Sequence, residues 1–308
     1  MTTAFYSHDD CMKHDMGPEH PERPERISRI LAYLAETPLE QELDWLRPEE
    51  ITREQLLMVH PESYLQQLEE MQPAHGRVFT DPETAMTPHT LHAARLAAGA
   101  GIQAVDRVMS RQSTNAFACV RPPGHHAERA RSMGFCFYNN VALAAMHALK
   151  AHHLERVAIV DFDVHQGNGT IDITGGDDRI LVCSSFQHPF FPYSHTHRQP
   201  DNVLNVPINA GCGSAEYRKQ VEEHWLQALQ DFKPQLIVVS AGFDGHRCDP
   251  MGETDLETDD FRWLTEMLVS VARDHADNRI VSTLEGGYDL NALGECVVAH
   301  LEVLNAVN

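Results

Sequence analysis

The sequence predicts an α/β fold: a central, mostly parallel sheet with helices layered on both faces. Three observations predict it. Short β-branched runs alternate with long amphipathic stretches. The runs are continuously apolar, the pattern of strands buried on both faces. Histidine, aspartate and glycine gather directly after those runs, where the carboxyl ends of strands are expected and where open parallel sheets place their sites.

Taken in chain order, the first 85 residues read as helical and loop-rich, with "GPEHPERPER" (17–26) a Pro-punctuated loop leading into a helix. Strands are expected at "NAFACV" (115–120), "RVAIVDFD" (156–163), "RILVCSSF" (179–186), "QLIVVSAGF" (235–243) and "RIVSTLEGG" (279–287). Helices are expected over 88–110, 138–152, 214–231, 257–275 and 290–304. No repeat, low-complexity tract or linker interrupts the pattern. The 308 residues are therefore expected to form a single catalytic domain over 1–308 with a substantial core.

At 42% hydrophobic, the composition excludes a disordered chain. The start, "MTTAFYSHDDCMKHDMGPEH", lacks the basic and apolar regions of a signal peptide. Apolar runs such as "LIVVSAGF" are too short to span a bilayer, so no membrane partner is expected. Seven scattered cysteines without a C-x-x-C pair imply reduced thiols in a cytoplasmic protein. A formal net charge of −21 repels nucleic acid and attracts cationic partners such as lysine-rich peptides or polyamines. The same charge is also an ordinary means to solubility.

Four strand ends carry unusual polar residues: "RPPGHH", "DFDVH", "SAGFDGH" and "EGGY". Asp163 and His165 are spaced i, i+2, so on an extended segment both side chains face one way. They suit two ligands of one metal, and Asp244 from another strand end can supply a third. Zn²⁺, Fe²⁺, Co²⁺ and Mn²⁺ all fit such a donor set, and three protein ligands leave a position open for water or substrate. Alone, D-x-H is equally compatible with Asp163 capping a helix and His165 being an ordinary satisfied polar residue.

His125 and His126 are adjacent, and neighbours on an extended segment point to opposite faces, so one metal rarely takes both. They can instead flank a water at the open position, each oriented by its own partner. Asp161, aligned with Asp163, can accept a proton from one imidazole and raise its basicity. Asn168 can orient the other and leave it free to exchange protons near neutral pH. The glycines of "EGGY" let Tyr288 approach and polarise a carbonyl, although an isolated tyrosine there equally fits the edge of a core.

Together, RPPGHH, DFDVHQGNG, SAGFD-x-x-x-x-DP and LEGGY resemble the histone deacetylase superfamily, nearest its class II-like bacterial members, from roughly residue 19 to 290. The resemblance implies an arginase/deacetylase fold of three α/β/α layers and removal of acyl groups from lysine side chains or polyamines. It implies one catalytic Zn²⁺ held by Asp163, His165 and Asp244, and a structural K⁺ near Asp161, Asp163 and His165. His125, supported by Asp161, would bind and polarise the water. His126 would be general base and then general acid, and Tyr288 would hydrogen-bond the scissile carbonyl. Gly134 and Phe135 in "GFCF" and Phe191 in "PFFPY" would line the acyl-lysine tunnel, with Phe190 an alternative register for Phe191.

Two departures bear on substrate. Asn168 stands where class I enzymes have aspartate. Met251 stands where polyamine-selective relatives carry a glutamate gatekeeper. Asn168 fits class II and the polyamine enzymes alike, whereas Met251, with no long N-terminal insertion of the kind acetylpolyamine amidohydrolases use for dimerisation, leans toward acetylated lysine proteins or peptides, with acetylpolyamines the alternative substrate; no oligomeric state is implied. An arginase-like ureohydrolase needs paired aspartates that "SAGFDGHRCDP" lacks, and a non-catalytic binding module needs neither histidine nor Tyr288.

Overall fold

The structure is a computed structural model and describes residues 2–194 and 199–307. Ten strands are described: β1 (Thr3–Tyr6), β2 (Asp44–Leu46), β3 (Val78–Phe79), β4 (Ala85–Met86), β5 (Asn115–Ala118), β6 (Val157–Asp161), β7 (Ile180–Gln187), β8 (Val203–Ile208), β9 (Leu236–Ala241) and β10 (Ile280–Leu284). β3 and β4 form a small antiparallel ribbon. The other eight form one sheet in the order β2-β1-β5-β10-β9-β6-β7-β8, and every pairing in it is parallel. Helices cover both faces of this sheet, as expected.

Every residue of β5, β6, β7, β9 and β10 is buried, which is why these strands are legible as continuous apolar runs. The helices fall within two residues of expectation at Thr90–Met109, Asn140–Ala151, Thr258–His275 and Leu290–Asn305. The stretch expected as one helix over 214–231 is Ser214–Val221 and Gln227–Phe232 joined by a π turn at Glu222–Leu226.

Three strands of the large sheet were not expected, nor were the two of the β3–β4 ribbon. β1 and β2 lie in the segment read as helical and loop-rich, and are four and three residues long. β8 is an edge strand with Asn205 and the exposed Pro207, residues that weaken a strand signal but are tolerated at an edge. The central strands also end earlier than expected. β6 stops at Asp161, its last ladder partner being Ser240 of β9, so Asp163 and His165 lie in the bend beyond it.

Because β5, β10, β9 and β6 are consecutive neighbours running the same way, their carboxyl ends share one rim. The N-terminal loop is fastened beneath that rim by a buried charge network. Arg121, just past β5, donates to both carboxylate oxygens of Glu22 and to the carbonyls of Cys11 and His14 at 3.1 and 3.0 Å. Arg26 reaches Glu22 at 3.3 Å and donates to the carbonyls of Gly287, at 2.7 Å, and Glu285 beyond β10. Burial works against the Glu22 carboxylate, but Arg121 outweighs it and holds the group well below the usual carboxylate range.

All three side chains are fully buried. Removing one partner of such a pair leaves uncompensated charge in the interior. Glu22→Ala is expected to destabilise the fold by about 3–5 kcal/mol in chemical denaturation, and a loss below about 1 kcal/mol would show that the network does not hold the loop.

Candidate active site

The bend after β6 is short because its side chains bond its own backbone. Asp161 Oδ1 accepts from the amide of Asp163 at 3.1 Å, and Asp163 Oδ1 accepts from the amide of His165 at 2.9 Å. Asp244 arrives from β9 and accepts from the amide of Val164 at 2.8 Å. The third strand end, β10, brings the amide of Gly286 to Asp163 Oδ2 at 2.8 Å. A side chain on Gly286 is excluded: its Cβ would stand 2.1 Å from Asp244 Oδ2 and 2.5 Å from Asp163 Oδ2.

Asp163, His165 and Asp244 each present one ligand atom, all within 4.8 Å of one another, and all three residues are buried. His165 Nδ1 lies 3.0 Å from Asp163 Oδ1 and 3.1 Å from Asp244 Oδ2. Burial pushes this imidazole down, but the two carboxylates outweigh it and lift it to about 10. Burial raises Asp244 to about 7, with Asp163 adding to the rise. A pair of dry carboxylates converging on one ring nitrogen demands a positive charge between them. The donor set, one imidazole and two carboxylates, fits a divalent ion such as zinc.

The two histidines stand beside this trio. They do not point to opposite faces as an extended segment would direct them. Residues 125–126 form a turn, and their ring centroids are 4.0 Å apart. Glu285, just past β10, holds that turn by accepting from the amides of Gly124 and His125 at 2.6 and 3.1 Å. Burial raises the Glu285 carboxyl to about 7.

The partners of the two rings differ. His125 Nδ1 lies 3.0 Å from Asp161 Oδ2, and its Nε2 is 3.8 Å from Asp163 Oδ2. Burial disfavours its charge, but Asp163 and Asp161 outweigh burial and hold its pKa well above the usual value. His126 Nδ1 lies 2.7 Å from Asn168 Oδ1. The Asn168 amide donates to Glu128 Oε1 at 2.8 Å, which fixes its oxygen toward His126. Nδ1 of His126 therefore carries the proton and Nε2 is left as the acceptor. Burial lowers the pKa of His126 well below the usual value, and the neighbouring His125 and His165 lower it further.

Above these groups opens a cavity of about 340 Å³. Phe135 and Phe191 form two of its walls, Phe191 edge-on to His126 at 5.1 Å. Phe190 lines it too, stacked on His165 at 5.4 Å, so both members of the Phe190–Phe191 pair face the cavity. Gly134 takes a left-handed φ of +55°, and a Cβ there would lie 2.3 Å from His126 Cδ2. Tyr288 and the half-buried Met251 complete the expected lining. Tyr288 is positioned by its amide, which donates to Asp249 Oδ2 at 2.5 Å, and by Arg26, 4.9 Å above its ring. Burial pushes its phenol well above the ordinary range.

The arrangement can bind a divalent ion, offer a bare imidazole nitrogen beside it, and enclose an apolar stem. A family model described as "Histone deacetylase domain" matches residues 20–304. The chain belongs to the histone deacetylase family. It is 35% identical to the "Probable deacetylase" of Archaeoglobus fulgidus over 94% of this chain and 82% of the relative. It is equally similar, at 35%, to the "Histone deacetylase-like amidohydrolase" of Pseudomonas aeruginosa, over 99% of this chain and 86% of that protein. The human "Polyamine deacetylase HDAC10" is 37% identical over 86% of this chain, which spans 42% of that longer protein. Among solved structures, the HD domain of HDA15 superposes with a TM-score of 0.93 at 31% identity, covering 99% of this chain and 90% of that one.

All twelve residues singled out from the sequence therefore lie at this histone deacetylase-family site or in the contacts that orient it. Sequence reasoning missed Glu22, Arg26, Asp249 and Glu285, which position the loops, and Glu83 and Glu253, which line the cavity. Glu285 and Asp249 had visible signals, the first opening "EGGY" at a strand end and the second closing "SAGFDGHRCDP".

Removing Asp244 should cost the site its ion while leaving β9 intact. Asp244→Ala is expected to lose most of its bound divalent metal by elemental analysis, with circular dichroism unchanged; full retention of metal would rule out this ligand set.

Proposed function

We propose that this chain is a zinc-dependent amidohydrolase that removes acetyl and related acyl groups from lysine side chains. The observation that carries the reading is the fixed tautomer of His126, which leaves Nε2 as a proton acceptor in the cavity beside the Asp163–His165–Asp244 trio. Simple binding of an acyl-lysine requires no such acceptor.

Asp163, His165 and Asp244 would hold the zinc ion, which would supply Lewis acidity toward the amide carbonyl and a water. His126 Nε2 takes the proton of the attacking water and returns it to the leaving lysine amine. Its low pKa keeps it unprotonated at neutral pH, ready for the first of these steps. His125, paired with Asp161, adds positive charge to the floor and orients the water. The Tyr288 hydroxyl donates to the carbonyl oxygen as charge builds on it; its raised pKa keeps the proton in place. Phe135, Phe190, Phe191 and Met251 offer apolar contact to a lysine methylene stem. A K⁺ ion by Asp161 and Asp163 would fit the fully buried Ser184 hydroxyl, which pairs in register with Asp161 and has no hydrogen-bond partner among the described residues.

A second reading, an acetylpolyamine amidohydrolase, is favoured by the Glu83 and Glu253 carboxylates along the cavity. Glu253 already accepts from Gln187 at 2.7 Å, which draws it away from a ligand amine. Met251 itself brings no carboxylate, and lysine is the substrate of choice on that ground. Two relatives named as polyamine deacetylases, human and mouse HDAC10, also support this second reading.

With zinc loaded, turnover of an acetyl-lysine peptide with release of acetate is the expected result; no hydrolysis of any acetyl-lysine peptide or acetylpolyamine overturns the reading. His126→Ala and Tyr288→Phe should each lower kcat by about 10²–10³-fold with KM little changed and zinc retained. Near-normal turnover by either variant would remove that residue from the chemistry.

Selectivity has its own test. Met251→Glu should raise kcat/KM for acetylspermidine relative to an acetyl-lysine peptide, because a carboxylate would then meet the second amine. A natural protein that already prefers acetylspermidine by about tenfold or more, some 1.4 kcal/mol, would favour the polyamine reading.

A further inference from the structure

The helices Thr90–Met109 and Asn140–Ala151 pack against each other. The second begins at the catalytic rim, where Asn139 Nδ2 donates to the carbonyl of Ala127 at 3.1 Å and Asn140 Nδ2 to that of Pro122 at 3.3 Å. At 1.5 Å per residue, its last turn lies about 18 Å away, toward the opposite side of the sheet. There the ends of both helices carry a polar cluster that the chemistry above does not use. Asp106 sits in the last turn of the first helix, His147 near the end of the second, and His152 caps it.

His147 Nε2 and His152 Nε2 each lie 2.7 Å from the same oxygen, Asp106 Oδ1. The three candidate ligand atoms are within 4.8 Å of one another. The rings stand nearly perpendicular with centroids 5.5 Å apart, so both nitrogens aim at a common point from different directions. His147 is largely buried, His152 is 24% exposed and Asp106 is 51% exposed, which leaves the cluster open to solvent on one side.

We propose that Asp106, His147 and His152 form a second metal site, which takes a first-row transition ion of the Zn²⁺ type and staples the two helix ends together. Two imidazoles and one carboxylate are the donor set such ions prefer, whereas Mg²⁺ and Ca²⁺ prefer oxygen ligands. Bonds of about 2.0–2.1 Å in a tetrahedral site set ligand atoms roughly 3.3 Å apart. The carboxylate oxygen must draw back by about half an ångström from each ring, which the exposed Asp106 side chain permits. Water fills the open side. Two helix carboxyl ends converge on the cluster, and their partial negative charge favours a cation. The site is structural and lies apart from the catalytic trio.

The test reads the difference between proteins, so it does not depend on how the catalytic centre is loaded. After dialysis against micromolar Zn²⁺, the natural chain should hold one more ion than His152→Ala or Asp106→Asn. A control at an exposed histidine outside the cluster, His75→Ala, should match the natural chain. Saturating Zn²⁺ should also raise the Tm of the natural chain by about 2–4 °C more than that of His152→Ala. All variants should keep natural deacylase activity. Equal zinc content and equal Tm shifts in the natural chain and His152→Ala would overturn the proposal and leave an ordinary hydrogen-bonded trio.

Discussion

The rest of the site depends on one electrostatic constraint: Asp161, Asp163, Asp244 and Glu285 are all buried at the carboxyl ends of three adjacent strands. Charges taken out of water must be met by hydrogen-bond donors, by opposite charge, or by protons. Backbone amides meet part of the demand: Gly286 serves Asp163, Val164 serves Asp244, and Gly124 with His125 serves Glu285. They do not meet all of it. Burial still raises Asp244 and Glu285 to about 7. A site built this way calls for cations; the histidines answer part of that call, and the Asp163–His165–Asp244 trio could hold a divalent ion that would answer the rest.

The same constraint explains why so much of the N-terminal segment is needed. The loops after β5 and β10 must hold His125, His126 and Tyr288 against the acids. Arg121 and Arg26 bind those loops to a single carboxylate, Glu22, contributed from far away in sequence. This rivet works by shared hydrogen bonds more than by net Coulomb gain, since desolvation consumes much of the attraction between buried ions. Glu285 then acts from the opposite side, fixing the amides of the histidine turn.

Legibility in the sequence followed the physics of each element. Central strands buried on both faces are written as unbroken apolar runs, and the candidate site residues stand out as rare polar residues at the ends of those runs. β2 and β8, at the sheet edges, lack that signature because one side meets solvent. The assumption of extended backbone failed twice, at 125–126 and at 163–165. In both places the ladder has already ended and side chain-to-backbone bonds, not pleating, set the direction of each side chain. Glu22, Arg26 and Arg121 were illegible as a network because a charged residue is exposed by default, and only its tertiary partners reveal otherwise.

The division of labour between the adjacent histidines is the last consequence of placement. One backbone turn presents two chemically identical rings, and their difference comes from the charges and partners around each. A carboxylate behind His125 holds a positive charge on the ring. An amide behind His126 accepts a hydrogen bond without supplying charge, and Glu128 prevents that amide from turning over. Two imidazoles of equal basicity 4.0 Å apart would compete for one proton. Asp163 and Asp161 hold His125 above its ordinary pKa against burial, whereas burial and the nearby His125 and His165 push His126 below its own, and neutral Asn168 supplies no charge to reverse that; one ring can stay charged while the other stays free to accept.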